Sequence, residues 1–166
     1  MGISFGNSYD SAPSHTGGII RNNFVKGYAN SDFGICVSKS PDVQMINNTI
    51  YSPGSWPYSI EVQYASSSNC LLANNLADEP FYLNRFGTNN PQLFTNLTAA
   101  GPGYFADPGG GDLHLRSDYL PAIDGGTFTP DRETDIDGQG VVGAGPDIGA
   151  DELRTPAVLQ LSLIHI

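Results

Sequence analysis

Basic residues are scarce in this sequence of 166 residues, which has 7 lysines and arginines against 17 aspartates and glutamates. The formal net charge is −10 and the pI is about 4.3. Such a chain would be repelled by nucleic acid and by anionic membranes, so neither is an expected partner. Charged residues make up only 14% of the chain, and 20 glycines and 12 prolines interrupt it. This composition argues against long amphipathic helices and coiled coils.

Cysteine is rare as well. Cys36 and Cys70 are the two cysteines, and they belong to no Cys-x-x-Cys motif or Cys/His cluster. The sequence therefore signals neither a zinc site nor a redox pair. Two buried free thiols and one disulfide are the alternatives that remain.

Long apolar segments and a leader peptide are also missing. The first four residues lack a basic region followed by an apolar core, so we expect no signal peptide in this chain. The apolar run near the end is too short to cross a bilayer, for which about 20 residues are needed. We therefore expect the C-terminal part of a larger protein without a transmembrane segment. Residues 155–166 are expected to be a truncated or non-native tail outside the fold.

A repeat occupies the first half of the chain. Asn-Asn pairs follow short apolar segments at Asn22–Asn23, Asn47–Asn48 and Asn74–Asn75, with spacings of 25 and 27 residues. A second set of alternating segments, residues 33–37, 58–62 and 81–85, lies between them at a similar period. Each period thus predicts at least two short strands separated by turns rich in Asn, Ser, Gly and Pro.

Such a repeat predicts an all-β solenoid of about four coils, because stacking buries the apolar face that a single coil cannot bury. The residues expected to stack in the core are Ile20 on Met45 and Leu72, Val25 on Ile50 and Ala77, and Ile35 on Ile60 and Leu83. Asn23, Asn48 and Asn75 are predicted to form an inward ladder at one corner, where each amide bonds to the amide of the next coil. A β-sandwich with chance Asn pairs is the alternative.

With these strands and Asn-Asn corners, residues 1–100 resemble the right-handed parallel β-helix proteins of the pectate-lyase-like superfamily. Residues 101–154 break the repeat and resemble the closing segment of secreted bacterial β-helix proteins, which predicts an irregular cap of the same domain. The resemblance implies an extracellular or cell-surface protein that binds polysaccharide and, in its full-length form, cleaves it. A non-catalytic adhesin or structural spacer is the alternative. The oligomeric state stays open.

Candidate catalytic residues are few. Glycoside hydrolysis needs two carboxylates across a groove, but the outward strip predicted beside residues 58–62 contains one acid, Glu61, and one nearby base, Arg85. These two are the candidates, and the isolated chain is expected to lack strong lyase or hydrolase activity. The candidates for contact with sugar are the polar and aromatic residues Trp56, Gln63, Tyr64, Tyr82 and Asn84.

No cofactor is required by any motif, and calcium is the one candidate ion. Asp135 and Asp137 are its candidate ligands, although the EF-hand spacing fails and Asx turns are the alternative. Residues 138–143 fit the dinucleotide fingerprint letter for letter, but that motif needs a strand before it and a helix after it. An Asp-rich loop and Pro146 stand there instead, so we expect no nucleotide site. His114 is predicted as an outward strand residue.

Overall fold

The computed structural model describes residues 2–9, 11–54, 56–116, 121–130 and 134–154. Within that part, the one helical element is a 3-10 turn at Pro102–Tyr104. The strands in chain order are β1 (Ile3–Phe5), β2 (Ile19–Arg21), β3 (Phe24–Lys26), β4 (Ile35–Ser38), β5 (Gln44–Ile46), β6 (Thr49–Tyr51), β7 (Ile60–Gln63), β8 (Leu71–Ala73), β9 (Leu76–Ala77), β10 (Phe81–Arg85), β11 (Gln92–Phe94), β12 (Phe105–Asp107) and β13 (Asp112–Leu115). The predicted tail at residues 155–166 lies outside the described residues.

The strands β1 to β11 build a parallel β-solenoid of about three turns. Sheet A has the order β1-β4-β7-β10, sheet B has β2-β5-β8-β11 and sheet C has β3-β6-β9. The chain visits the three sheets in turn, so each strand pairs with the strand one coil away. The predicted all-β solenoid is confirmed, with about three turns where the repeat predicts about four coils.

Side chains from matching positions of successive coils stack inside the solenoid. Ile20 pairs in register with Met45, and Met45 pairs with Leu72. On sheet C, Val25 pairs with Ile50. All five are buried, because β-strands point alternate residues to the same face.

The predicted partner of Ile60 was wrong at the last coil. Ile35 pairs with Ile60, but Ile60 pairs with Phe81 instead of Leu83. The register of β7 and β10 shifts between Tyr82 and Arg85. A slip of two residues leaves the same side chains on the inner face. Leu83 therefore still packs against the core beside Phe81.

The first Asn of each pair turns the corner between sheets B and C. Asn22, Asn47 and Asn74 have φ angles of 52°, 51° and 53°. This left-handed conformation is one that Asn adopts more readily than most residues with a side chain. The conformation explains why the same residue type recurs at this corner of each coil.

The second Asn of each pair points inward and forms what we call the Asn ladder. Nδ2 of Asn23 donates to Oδ1 of Asn48 at 2.9 Å, and Nδ2 of Asn48 donates to Oδ1 of Asn75 at 3.0 Å. Asn75 continues the ladder to Asn96 at 2.9 Å. The same Nδ2 of Asn48 also donates to the carbonyl of Ile20. Side-chain amides thus satisfy backbone groups where the strands are interrupted.

Among the acidic residues 101–154, those that the structure describes lie against the side of the solenoid, whereas the sequence predicts a cap at its end. We call their described part the lateral segment. Outward side chains of sheet C form an apolar surface from Phe24, Tyr51 and Leu76, and the lateral segment packs on it through residues such as Phe105 and Leu113. These three outward positions are apolar, so they need a cover of their own. At the end of the stack, by contrast, β11 keeps its side chains exposed.

Buried carboxylates hold the lateral segment together, since its only described strands are the antiparallel hairpin β12-β13. Asp135 accepts backbone N–H groups of Asp137 and Gln139 through Oδ1 and that of Glu152 through Oδ2. Asp147 accepts those of Asp124 and Leu153. These bonds take the place of a strand ladder in an irregular chain.

Candidate functional site

A groove of about 320 Å³ runs over the outer face of sheet A. Its lining residues are Ser4, Gly6, Asn7, Ser8, Tyr9, Asp32, Phe33, Cys36, Ser38 and Gln63. Three successive strands supply its base, because residues of adjacent coils that point outward lie side by side about 4.8 Å apart. The groove therefore crosses three adjacent coils.

Glu61 lies at the base of this face and is completely buried. Its Oε1 accepts the indole N–H of Trp56 at 2.6 Å, and its Oε2 accepts the Gln63 amide at 2.6 Å. One guanidinium nitrogen of Arg85 donates to Oε1 at 3.1 Å and to Oε2 at 2.9 Å. Three donors therefore compensate the burial of this carboxylate. The sequence predicts Glu61 in an outward strip, whereas the structure buries its side chain, which holds Trp56, Gln63 and Arg85 by hydrogen bonds.

Arg85 joins the buried acid to the surface. Its hydrogen bond with Glu61 raises the pKa of the guanidinium, against the opposing effect of burial. The guanidinium also lies 5.3 Å from the ring centre of Trp56 and 5.0 Å from that of Phe86. It is thereby held between two aromatic groups, where cation–π attraction adds to the ion pair. Part of its side chain remains exposed to solvent.

Aromatic rings flank this ion pair on both sides. Near the start of β7 and β10, Tyr58 lies 6.4 Å from Trp56 and 4.7 Å from Tyr82, measured between ring centres. After the strands, Tyr64 stacks on Phe86 at 5.0 Å. The exposed fractions of Trp56 and Phe86 are 38% and 60%. Flat apolar faces are thus available beside polar groups.

Cys36 lies on the same face, in register with Glu61 of the next strand. Burial, followed by the negative charges of Glu61 and Asp32, raises the pKa of its thiol to about 12. A thiol in this state is a poor nucleophile. Cys36 and Cys70 are both buried and free, so they form no disulfide.

The predicted sugar-contact residues are distributed unevenly. Trp56 and Asn84 are exposed, Tyr64 and Tyr82 are half-buried, and Gln63 is buried with its amide on Glu61. The structure thus brings Trp56, Gln63 and the candidate catalytic pair, Glu61 and Arg85, into one hydrogen-bonded group. Asn84 takes no part in that group.

Sequence reasoning missed three residues of this face, namely Asp32, Tyr58 and Phe86. Asp32 is exposed in the groove wall. A signal was present, because Asp32 and Phe86 adjoin predicted segments of the second set and Tyr58 is the first residue of another. The spacing of the repeat defines the strands only, while these residues lie in the turns.

The candidate calcium ligands take different environments. Asp135 is buried and bonded to backbone N–H groups, which matches an Asx turn. Asp137 is exposed, and its Oδ2 lies 2.9 Å from Nε2 of His114. Among the described residues, the one group that could hold a metal ion includes Asp137 and leaves out Asp135.

No protein-family model, curated protein or solved structure matches the chain. The described part of the chain has no helix with the length and apolar character needed to cross a bilayer. The side chains on the outer face of sheet A therefore indicate which kind of ligand could bind there. This face presents aromatic rings, one partly exposed guanidinium and a carboxylate that is already hydrogen-bonded within the protein. Such a surface suits a ligand with flat apolar faces and hydroxyl groups.

Proposed function

We propose that this chain binds polysaccharide along the outer face of sheet A without cleaving it. The observation that carries the proposal is the arrangement around Glu61, whose carboxylate is occupied by Trp56, Gln63 and Arg85 between two groups of aromatic rings. The arrangement fixes the rings and the guanidinium in place. A preorganised surface loses little side-chain entropy when it binds.

The shape of the face favours an extended ligand. Sheet A repeats outward positions across its coils, so polar and aromatic groups recur along the axis of the solenoid. Sugar rings present apolar faces that stack on aromatic side chains and hydroxyl groups that bond to polar ones. An extended polysaccharide matches both features of this face.

Charge favours a neutral polysaccharide over an acidic one. The chain has a net charge of −10, and the carboxylate of Glu61 is already paired with Arg85. An acidic polysaccharide would meet a repulsive field without a surplus of basic groups on this face. We therefore expect xylans, glucans or mannans to bind better than pectins or alginates.

The burial of Glu61 disfavours catalysis by this chain. General acid–base catalysis requires a carboxyl group that reaches the substrate, whereas Glu61 is buried under its own donors. Residues 101–154 resemble the closing segment of secreted bacterial β-helix proteins, and in this proposal any cleavage site of a longer protein lies outside the groove. The chain then supplies a lateral binding surface at the cell exterior.

Binding is tested by affinity electrophoresis and calorimetry with neutral and acidic polysaccharides. Tyr82→Ala and Trp56→Ala should each weaken binding of a neutral polysaccharide several-fold, while Phe128→Ala is the matched control at an exposed aromatic of the lateral segment. Binding that is equal in all variants would overturn the placement of the site. Binding of none of the polysaccharides would favour the adhesin or spacer alternative.

The absence of cleavage is tested separately. The chain is incubated with xylans, pectins, alginates and glycosaminoglycans, with and without calcium, and released reducing or unsaturated ends are measured. We expect no release above background. Robust release that is lost in Glu61→Gln or Arg85→Ala would show that the face of sheet A is catalytic.

A further inference from the structure

A second group of polar side chains lies on the lateral segment, away from the groove. His114, Asp137 and Asp151 each offer one ligand atom, and these atoms all lie within 4.8 Å of one another. The three residues come from strand β13 and from two irregular stretches near residues 137 and 151. Residues far apart in sequence thus converge on one point.

A fourth residue fixes the imidazole. Oδ1 of Asp112 lies 2.5 Å from Nδ1 of His114, and the two residues point to the same face of β13 because they are two positions apart. Phe24 packs against the imidazole edge-on, with 4.9 Å between ring centres. A carboxylate on one imidazole nitrogen is the usual arrangement behind a metal-bound histidine, since it directs the other nitrogen to the metal.

When His114 is neutral and its proton lies on the nitrogen that faces Asp112, the groups that face each other at the centre are all acceptors. With its proton on Nδ1 toward Asp112, His114 presents the lone pair of Nε2 to Oδ2 of Asp137 at 2.9 Å. Asp151 is only 4% exposed and accepts the N–H of Leu115 through Oδ2. Acceptors that converge in this way need a positive charge between them.

We propose that His114, Asp137 and Asp151 bind a divalent transition metal ion of the zinc type, with Asp112 as the residue that orients the imidazole. One imidazole nitrogen and two carboxylates suit zinc and its first-row neighbours. Calcium prefers six to eight oxygen ligands, which this group does not supply. The site is partly exposed, so water can complete the coordination.

The position of the site indicates its effect. It joins strand β13 to the two irregular stretches of the lateral segment, which are also linked by hydrogen bonds of buried carboxylates. A metal ion that binds only the folded chain stabilises it by mass action. The proposal is independent of carbohydrate binding, because it concerns a different face.

The test uses the full chain after treatment with a chelator. Calorimetry with Zn²⁺ and absorption spectroscopy with Co²⁺ should show one equivalent bound, and a tenfold excess of Ca²⁺ should not displace it. His114→Gln should abolish this binding, and Asp112→Asn should weaken it by about 10–100-fold, the usual effect of losing such a supporting carboxylate. The matched control carries His15→Gln and His165→Gln together and should bind like the unchanged chain.

Three results would overturn the proposal. These are the absence of saturable Zn²⁺ binding to the unchanged chain, unchanged binding in His114→Gln, and loss of binding only in the control. Circular dichroism in the presence of chelator shows whether each variant is folded. If His114→Gln does not fold, the Co²⁺ spectrum of the unchanged chain decides. Coordination by the imidazole must make this spectrum differ from that of Co²⁺ in buffer, and Asp112→Asn must change it further. A spectrum identical to that of Co²⁺ in buffer means that His114 is only an ion-pair partner of the carboxylates.

Discussion

Nδ2 of Asn47 donates to the carbonyl oxygen of Gly149 at 3.1 Å, across 102 positions of sequence. The same nitrogen lies 3.3 Å from the carbonyl oxygen of Asp147. Its neighbour Asn48 points the other way and belongs to the Asn ladder. One Asn-Asn pair thus connects a coil both to the next coil and to the lateral segment.

Asn47→Gly tests the outward connection. Glycine keeps the left-handed backbone of position 47, so the change removes the amide without adding strain. We expect the free energy of unfolding to fall by about 1–3 kcal/mol, since two carbonyl groups lose a donor. Hydrogen exchange should increase in residues 134–154 more than in sheets A and B. Asn30→Gly is the matched control, because Asn30 is exposed and also has a positive φ; equal effects of both changes would contradict the expectation.

Asn48→Ala tests the Asn ladder. The variant removes one of the two donors to Oδ1 of Asn75, whose bond from the backbone N–H of residue 48 remains, and the amide donor to the carbonyl of Ile20. We expect a loss of about 1–3 kcal/mol in the free energy of unfolding, measured by urea denaturation. Asn84→Ala is the control at an exposed Asn of strand β10. An unchanged midpoint in Asn48→Ala would show that the ladder does not contribute to stability.

Asp78 predicts a pH dependence of stability. Burial raises the pKa of its carboxyl group, although the N–H of Ser52 and the hydroxyl of Ser59 oppose the shift. The native state therefore holds this proton to higher pH than the unfolded state, and its contribution to stability falls as pH rises through that window. Asp78→Asn should gain stability relative to the unchanged chain as the pH rises above about 4, the ordinary pKa of an aspartate.

The measurement for Asp78→Asn is urea denaturation at several pH values from about pH 4 upward. Asparagine keeps an oxygen for the N–H of Ser52, so the variant removes the titration more than the hydrogen bond. Asp32→Asn, at an exposed aspartate, is the control for the loss of one charge. A constant difference between Asp78→Asn and the unchanged chain across the range would refute the assignment.

Cys36 should resist alkylation in the folded protein. Burial and the neighbouring acids hold the pKa of its thiol at about 12, so almost no thiolate exists near pH 8. Treatment with iodoacetamide at that pH, followed by peptide mass spectrometry, should leave Cys36 unmodified over a time that modifies the urea-unfolded chain completely. Rapid labelling of the native chain would show that the groove opens around this strand.

The sequence predicted the solenoid because Asn is favoured at a left-handed corner, and its recurrence at a nearly constant spacing indicated the coils. The same pattern did not predict where the lateral segment packs. The outward apolar residues Phe24, Tyr51 and Leu76 were a readable signal, since outward positions of an uncovered sheet are usually polar. The contacts of Glu61 could not be predicted from the sequence, because they depend on the conformation of the turn that contains Trp56. The repeat does not constrain that turn.

The Asn ladder joins partners that are 25, 27 and 21 residues apart, yet its hydrogen bonds are nearly equal in length. The number of residues in a coil can therefore change without moving the corner, because the turns between strands absorb the difference. Insertions and deletions in those turns would leave the core intact. In this architecture the surface can diversify in evolution one turn at a time, while four asparagines keep the coils in register.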